Sequence, residues 1–448
     1  MMHEARAVAQ EDLARYAKAY QEDVKNRAMT HALSKQSVAD AAYTIAGAAK
    51  TQFKFSIDIP TMPVTNQKSS GRCWLFAGLN VLREIIAKKY KIKEFELSQN
   101  YVAFWDKFEK INYFLETVLD TTQLPPDDRT LAWVMQVGVQ DGGQWDMLVS
   151  LIKKYGLVSK DAMPETFQSS NTGAMNQMIN TRLKENAVLL RQMAAQGASR
   201  EELQEKKDEF LSEYYTLLCM CFTQPPKKFD FEYVDEDKKY HIHRDITPKA
   251  FYEDYIGDIL DDYVSVIHAP TQDKPFHRAY TVRYLGNVVG GNPITYLNVP
   301  MPELKKLVID QLKAGEVVWF GSDVSKFGTD DSWDDGAFDY ASGFGFSLDL
   351  PKEHRLDYRD SAMNHAMVLT GVNLTDGEYQ ANRWKIENSW GDDRGGVKGY
   401  YRMSDTWFDQ FVYQAVIRRD FLDDTLRQAL KQEPVQLNPW DPMGSLAD

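Results

Sequence analysis

The sequence has 448 residues, of which 43% are hydrophobic and 12% aromatic, and its net charge is −13. This length predicts roughly two to three domains, and an acidic surface repels polyphosphate, so nucleic-acid binding is not expected. No apolar stretch approaches the roughly 20 residues that cross a bilayer, and the first residues lack the apolar segment of a secretory signal. A soluble, cytoplasmic protein with no membrane partner is therefore expected.

The three cysteines do not form the even-numbered framework that is usual in an oxidising compartment. Cys219 and Cys221 lie in an apolar run and are predicted to be buried thiols. A metal site at this pair, or at His241 and His243, would need further ligands that the neighbouring sequence does not provide. Neither a metal nor another cofactor is expected.

The N-terminal region, residues 5–50, has an amphipathic pattern that predicts helices wrapping the core. Alternating apolar residues at 53–58 then predict a strand. The apolar positions of the first helix are Leu13, Tyr16, Ala17 and Tyr20.

A polar loop in residues 64–72 is followed by a helical pattern that begins at Cys73. Unpaired backbone N–H groups at a helix start favour an anion, so a cysteine there is stabilised as the thiolate, the nucleophile of acyl transfer. The alternative is a small buried hydrophobe. The Lys- and Arg-containing loop, which is predicted to be exposed, favours the nucleophile.

Two more helices are predicted after this one. Ser98 is a candidate N-cap for the first, and Gly142 and Gly143 precede the second, which ends near Tyr155. Paired glycines let another backbone approach closely. That property suits a bound substrate main chain, and it also suits a simple helix-entry turn.

The second half of the chain changes from helical to strand-like patterns. Charged helices are predicted from Asn176 to Met220, followed by a hairpin, and Pro302 suits the first turn of a later helix. Strands are predicted at 316–324, 366–371, 383–387, 399–403 and 414–418. Helices first and an antiparallel sheet later predict a two-part α+β fold whose interface forms a cleft.

The C-terminal segment, residues 433–448, contains three prolines and is predicted not to be helical. Its apolar residues are costly to leave in water, so they are expected to occupy a groove. These residues are Leu437, Trp440, Met443 and Leu446.

Two downstream motifs give Cys73 candidate partners. N-H-A places His365 at the head of an apolar strand, and E-N-S-W-G places Asn388 and Trp390 at the end of another. With Gln67, six residues before the cysteine, these motifs resemble those of the papain-like cysteine peptidases, in the order Cys, His, Asn.

The resemblance implies a role for each of these residues. Cys73 is the nucleophile, and His365 is its ion-pair partner and proton donor. Asn388 orients the imidazole, Trp390 shields that hydrogen bond from water, and Gln67 binds the oxyanion together with the Cys73 backbone N–H.

The long insertion, the Q-K-S-S-G-R-C-W-L-F-A motif and the W-D-P-M-G-S-L-A tail are similar to the bleomycin hydrolase and bacterial aminopeptidase C family, from about Gln52 onward. The resemblance implies a homohexamer, with the C-terminal arm lying in the cleft. It also implies that Asp448 is trimmed, so that the carboxylate of Ala447 holds the free amino group of a peptide while Gly142 and Gly143 bind its main chain.

The implied organisation follows the papain-like fold with a long, mainly helical insertion. It comprises an N-terminal helical extension (1–50), a helical half (51–160), an oligomerisation hook (161–300), a sheet half (301–432) and the arm (433–448). The implied function is a cysteine aminopeptidase acting on peptides with a free N-terminus through an acyl-enzyme. An oligopeptide endopeptidase, acyl transfer to amines, and a nucleic-acid-binding or non-catalytic barrel remain alternatives.

Overall fold

The computed structural model describes residues 5–48, 52–375 and 377–447. Its helices are α1 Gln10–Glu22, α2 Val24–Leu33, α3 Val38–Ala42, α4 Ile45–Ala48, α5 Cys73–Tyr90, α6 Gln99–Asp120, α7 Arg129–Val137, α8 Trp145–Tyr155, α9 Phe167–Ser170, α10 Gly173–Ala195, α11 Arg200–Phe222, α12 Pro248–Tyr255, α13 Met301–Lys313, α14 Tyr340–Phe344, α15 Lys352–Asp357, α16 Asp405–Phe411 and α17 Asp424–Leu430. Its strands are β1 Ile57–Asp58, β2 Phe229–Val234, β3 Tyr240–Ile246, β4 Tyr263–Ile267, β5 Arg278–Val282, β6 Tyr296–Asn298, β7 Val318–Ser322, β8 Ser332–Trp333, β9 His365–Leu374, β10 Ala381–Glu387, β11 Tyr400–Ser404, β12 Val412–Arg418 and β13 Val435–Leu437.

One large sheet of 11 strands dominates the described part of the chain, in the order β13-β5-β6-β4-β12-β7-β9-β10-β11-β8, with β1 beside β9. Its central pairs are antiparallel, whereas β13–β5, β4–β6 and β11–β8 are parallel. The strands β2 and β3 form a separate antiparallel hairpin, as predicted. The α+β fold with a helical half and a sheet half is confirmed.

Most predicted elements are present, but the strand predicted at 53–58 is reduced to β1. Only Ile57 and Asp58 find ladder partners, at Val372 and Gly371 of β9. The helix α7, which begins at Arg129, was not predicted.

The N-terminal helices form but do not wrap the core, so that expectation is wrong. Neither α1 nor α2 has a buried residue, and Leu13, Tyr16 and Tyr20 are exposed. The region is instead anchored at its far end, where the Thr44 backbone N–H donates to the carbonyl of Ala337 at 2.8 Å. Their apolar stripe therefore faces away from the described core.

The helical half and the sheet half each have their own apolar core. The first core contains side chains of α5, α6, α8, α10 and α11, and the second contains those of α13, α16 and the central strands. Cys219 and Cys221 flank the buried face of α11 and are half-buried rather than buried as predicted, because that face is formed by their neighbours Leu218 and Phe222.

A buried ion pair joins the two halves. Arg83 of α5 donates from Nη2 to Glu387 Oε1 of β10 at 2.9 Å, and Asn80 Nδ2 donates to the same oxygen at 2.9 Å. Burial raises the pKa of Glu387 to about 7, against the opposing charge of Arg83. The helix that begins at Cys73 is thereby fixed to the strand that leads into Asn388.

The predicted insertion contributes to more than one layer. Helices α10 and α11 pack against α6, whereas β4, β5 and β6, which also precede residue 301, belong to the large sheet. The domain boundaries stay a prediction. No helix in residues 5–48, 52–375 and 377–447 combines the length and apolar character that crossing a membrane requires.

Candidate active site

Cys73 is the first residue of α5, as predicted, and its side chain is buried. Burial raises the pKa of the Cys73 thiol to about 11, although hydrogen bonds to the sulfur from the backbone N–H groups of Ala366, Trp74 and Cys73 itself act in the opposite direction. The helix start therefore donates to the sulfur as expected. When Cys73 ionises alone, burial nevertheless raises the pKa of its thiol by more than these hydrogen bonds lower it.

His365 is the first residue of β9, and β7 fixes its backbone through the pairing with Ser322. Its Nε2 lies 2.9 Å from Asn388 Oδ1. Because Oδ1 can only accept, Nε2 carries the hydrogen and Nδ1 is left as the nitrogen that can take a proton. Burial lowers the pKa of His365 to about 4, against the raising effect of Asn388.

Asn388 and Trp390 follow β10 and form the cover of this histidine. The Asn388 backbone N–H donates to Gly399 O at 3.3 Å, and its Oδ1 accepts from the Ser389 N–H at 2.8 Å. The Trp390 ring centroid lies 4.9 Å from that of His365, with 32° between the planes. The indole of Trp390 therefore packs on the imidazole ring of His365.

Gln67 is held beside the same segment by backbone pairing. Its N–H donates to Ser389 O at 2.9 Å, and Gly391 N–H donates to Thr65 O at 3.0 Å. The side chain is mostly buried and donates from Nε2 to Ser70 O at 2.7 Å. A carboxamide has two N–H donors, so one N–H of Gln67 Nε2 is not used by Ser70.

The two glycines of the predicted substrate loop have different neighbours. A Cβ on Gly142 would lie 2.2 Å from the carbonyl oxygen of Leu446 and 3.1 Å from Cα of Ala447, whereas a Cβ on Gly143 would meet the Trp74 ring at 2.5 Å. The structure thus brings Gly142 and Ala447 together. Gly143 instead permits close packing on the residue that follows Cys73.

A buried charge network supports this loop and was not found from the sequence. Lys107 Nζ lies 2.7 Å from Asp141 Oδ1, and Lys110 Nζ lies 2.8 Å from Asp106 and also donates to the carbonyl of Gly142. Burial alone would raise the pKa of Asp141, but Lys107 and other hydrogen bonds hold it well below its usual range. The sequence signal that could have revealed this network is the pair Lys107 and Lys110, which lie one turn apart among the aromatic residues of α6.

The C-terminal arm reaches the catalytic region through specific contacts. Strand β13 pairs with β5, Asp441 forms an ion pair with Lys274 at 2.9 Å, and Ser445 Oγ donates at 2.7 Å to the carbonyl of Met363, two residues before His365. The burial of Leu437, Met443 and Leu446 is confirmed, and Trp440 is half-buried. Asp448, whose removal was predicted, lies outside the described residues.

The prediction that the arm contains no helix is wrong for its last part. Pro442–Ala447 forms a short 3-10 helix. Proline is tolerated at the first position because its missing N–H needs no partner there. Asp441 Oδ1 accepts from the Met443 backbone N–H at 2.9 Å and caps the turn.

Together these residues form the constellation that acyl transfer needs. A thiol, an imidazole hydrogen-bonded to a carboxamide, and the Gln67 carboxamide lie on α5, β9, the loop after β10 and the loop before α5, which adjoin one another. No cluster of three or more His, Cys, Asp or Glu that could hold a metal ion occurs among the described residues.

Comparisons with known proteins agree with this geometry. The model of the Peptidase C1-like family matches residues 7–444. The chain is 46% identical to an aminopeptidase C of Listeria innocua over 439 residues, 98% of each chain. It is 41% identical to a bleomycin hydrolase of Gallus gallus over 406 residues, 88% of each chain.

A solved structure, that of PepW from Lactobacillus rhamnosis, superimposes with a TM-score of 0.95 at 46% identity, covering 98% of this chain and 99% of that one. The likeness therefore includes the N-terminal helices, the predicted insertion and the arm as well as the catalytic segments.

Proposed function

Because the chain belongs to the Peptidase C1-like family and is a cysteine peptidase, we propose that it releases single residues from the free N-termini of peptides. The observation that carries this proposal is the position of the arm. Its last described residues lie against Gly142, and Ser445 contacts Met363 close to His365. A segment of the protein's own chain thus occupies space that a long substrate would need on one side of Cys73.

The first chemical step is proton transfer from Cys73 Sγ to His365 Nδ1. Burial disfavours a lone charge on either group, but the transfer creates two opposite charges on neighbouring groups whose attraction offsets part of the desolvation. The backbone N–H groups around the sulfur favour the thiolate, and Asn388 Oδ1 favours the imidazolium. The pair keeps the same total number of protons in both forms.

The thiolate then attacks the carbonyl carbon of the first peptide bond. The oxyanion of the tetrahedral intermediate accepts hydrogen bonds from Gln67 Nε2 and the Cys73 backbone N–H. As the C–N bond breaks, the imidazolium of His365 gives its proton to the leaving amine and a thioester remains on the sulfur. Water, deprotonated by His365, hydrolyses the thioester and regenerates the thiol.

The arm restricts this chemistry to the chain end. We propose that Asp448 is removed and that the new carboxylate at Ala447 pairs with the ammonium group of the substrate. Support for a fixed carboxylate comes from the rigidity of its surroundings, because Leu446 is buried and Lys110 and Asp141 brace the Gly142 loop. A substrate residue that precedes the one whose carbonyl is attacked by Cys73 would collide with the arm.

Two peptides that differ only by N-acetylation test the proposal. The intact enzyme is expected to release the first residue of the free-amine peptide and to leave the acetylated twin uncut, as read by mass spectrometry. Deletion of residues 446–448 is expected to lower N-terminal release and to admit cleavage of the acetylated peptide. Cleavage of the acetylated twin by the intact enzyme would instead support an oligopeptide endopeptidase.

We also propose that the chain works in the cytoplasm as a homohexamer. Exposed apolar side chains on the predicted insertion support self-association, among them Val188 and Leu189 on α10 and Met220 on α11. Sedimentation is expected to give six times the chain mass, and Val188→Asp is expected to lower it. A monomeric native enzyme would contradict this assembly.

A further inference from the structure

An open groove borders the catalytic centre in a region separate from the arm. Its floor is formed by residues 66–69, and its walls are formed by residues 166–171 on one side and 390–394 on the other. We call it the Lys68 groove. None of residues 433–447 is among its lining residues, and Phe167 in one wall is 76% exposed.

The groove begins at the catalytic residues. Trp390, whose ring packs on His365, forms a backbone bridge with Asn66. Gln67 lies between Asn66 and Lys68 in the sequence, so the proposed donor to the oxyanion and the floor of the groove share one loop. The far wall is fixed to this floor through the Ser69 N–H, which donates to Ser170 O at 3.0 Å.

The position of the arm determines which part of a substrate can use this groove. This step rests on the proposed function. With the first residue at Cys73 and the arm against Gly142, the remaining residues of the peptide must extend away from the arm. The Lys68 groove is open and includes Trp390, whose ring packs on His365, so we place the leaving-group peptide in it.

The groove carries cations that no partner neutralises. Lys68 and Arg394 are both exposed, and neither forms an ion pair within the described part of the chain. Arg394 lies 5.6 Å from the centroid of the Trp390 ring. One carboxylate, Asp393, also lines the groove. The lining of the groove therefore carries a net positive charge, whereas the protein as a whole has a net charge of −13.

The backbone at Lys68 supports a role for its side chain. Lys68 has a φ of 53°, a left-handed conformation that costs a non-glycine residue about 1 kcal/mol or more. Asn66 Oδ1 holds it by accepting from the Lys68 backbone N–H at 2.9 Å. A glycine would adopt this conformation without strain. Lysine at this position thus has a backbone cost that glycine would avoid, which supports a role for its ammonium group in the groove.

We propose that the Lys68 groove binds the leaving-group peptide and that Lys68 and Arg394 make the enzyme selective for leaving groups that carry a carboxylate. Two sources of that carboxylate fit: the free C-terminus of a short peptide, and an acidic side chain near the scissile bond. If the free C-terminus is the source, the favoured substrates are short products of earlier proteolysis.

Matched peptides measure this selectivity. One pair is a tripeptide with a free C-terminus and the same tripeptide as an amide. A second pair carries Glu or Gln at the second position with the C-terminus amidated, which separates the two sources. The ratio of kcat/KM within a pair cancels any general loss of activity. Surface ion pairs of this kind lead us to expect a ratio of about three to ten in favour of at least one acidic member at low salt.

The double variant Lys68→Gln/Arg394→Gln is expected to bring these ratios to about one, and added salt is expected to lower them in the native enzyme. Arg394→Lys keeps the charge and is expected to keep most of the preference. Lys184→Gln, an exposed lysine on α10 away from the groove, serves as the matched control and is expected to leave both ratios as in the native enzyme.

The outcomes separate this inference from the proposed function. Equal kcat/KM for the members of both pairs, with N-terminal release intact, would overturn the selectivity of the groove alone. A preference that survives the double variant would also overturn the assignment to Lys68 and Arg394. No release of an N-terminal residue from any free-amine peptide would overturn the proposed function and the inference with it.

Discussion

The two regions that border Cys73 have opposite physical characters. Around Gly142 the protein is filled by its own arm, Leu446 is buried, and the nearby charges of Lys107 and Lys110 are paired with aspartates. In the Lys68 groove the lining side chains are exposed or half-buried, and Lys68 and Arg394 form no ion pair with the residues that the structure describes. The region around Gly142 is filled by the protein itself, whereas the Lys68 groove presents the charges of Lys68 and Arg394 to a ligand.

This difference shows how one catalytic centre can fix the position of the cut along a peptide and still accept leaving groups of different sequence. A buried, braced boundary cannot move cheaply, so it decides where along the peptide the cut falls. An exposed groove forms weak, screened contacts, so it changes rates by modest factors and admits many leaving groups. The predictions below alter one region at a time.

Replacing the nucleophile removes the chemistry and leaves both regions in place. Cys73→Ala is expected to lower kcat for N-terminal release by at least about 10⁴-fold, with little change in Tm because only one sulfur atom is lost. Binding of the acidic peptides, measured by calorimetry, is expected to persist. Cys219→Ala on α11 is the control and is expected to remain active; activity retained by the Cys73 variant would exclude it as the nucleophile.

Adding one carbon to the filled region is expected to displace the arm. The Cβ of Gly142→Ala would meet the Leu446 carbonyl oxygen at 2.2 Å, and overpacking of this kind costs about 1–3 kcal/mol. N-terminal release is expected to fall roughly tenfold or more while cleavage of an N-acetylated peptide rises. Gly173→Ala has no atom within 4 Å of the new Cβ and is expected to match the native enzyme.

The pH dependence of kcat/KM distinguishes the catalytic pair from the arm. Below pH about 4 His365 takes a second proton and cannot accept one from the thiol, so activity is expected to fall about tenfold per unit. For a free-amine peptide the upper limit is expected near pH ~8, where the substrate ammonium that the arm requires is lost.

For the enzyme lacking residues 446–448, acting on an acetylated peptide, the upper limit is expected to move toward about 11, where the Cys73 thiol titrates. Coincident upper limits in the two experiments would show that no carboxylate of the arm senses the substrate amine.

A change at the edge of the arm is expected to have the smallest effect. The exposed Arg129 guanidinium lies 3.7 Å from the Trp440 ring centroid, a contact worth about 0.5–1 kcal/mol. Arg129→Met is expected to raise cleavage of the acetylated peptide by about two- to fivefold, and Arg129→Lys by less. No change in either variant would show that the arm is held without this contact.

The positions of Cys73, His365 and Asn388 at the ends of helices and strands could be predicted because each lies in a local motif. Cys73 opens a periodic helix, and His365 and Asn388 adjoin apolar strands, so short-range patterns placed all three. The paired lysines 107 and 110 could not be predicted, because their partners Asp141 and Gly142 come from a distant loop. Their positions within an aromatic stripe favoured a core face over a charge network.

Two further differences have physical causes that short-range patterns do not contain. The helix start at Cys73 favours a thiolate, but the burial that raises the thiol pKa comes from the assembled fold. The apolar stripe of α1 predicts packing, yet whether a helix meets the core depends on where the segment after it is anchored. Strands β4, β5 and β6 likewise join the large sheet through pairing with distant strands.

The pair of Arg83 and Glu387 limits how this cleft can open. A clamshell motion of the two halves would have to separate the guanidinium from its carboxylate where no solvent is present, and that rupture is far more costly than shifting a surface loop. We therefore expect α5 and the end of β10 to stay together when a peptide binds, so that any opening of the cleft falls to its exposed rims.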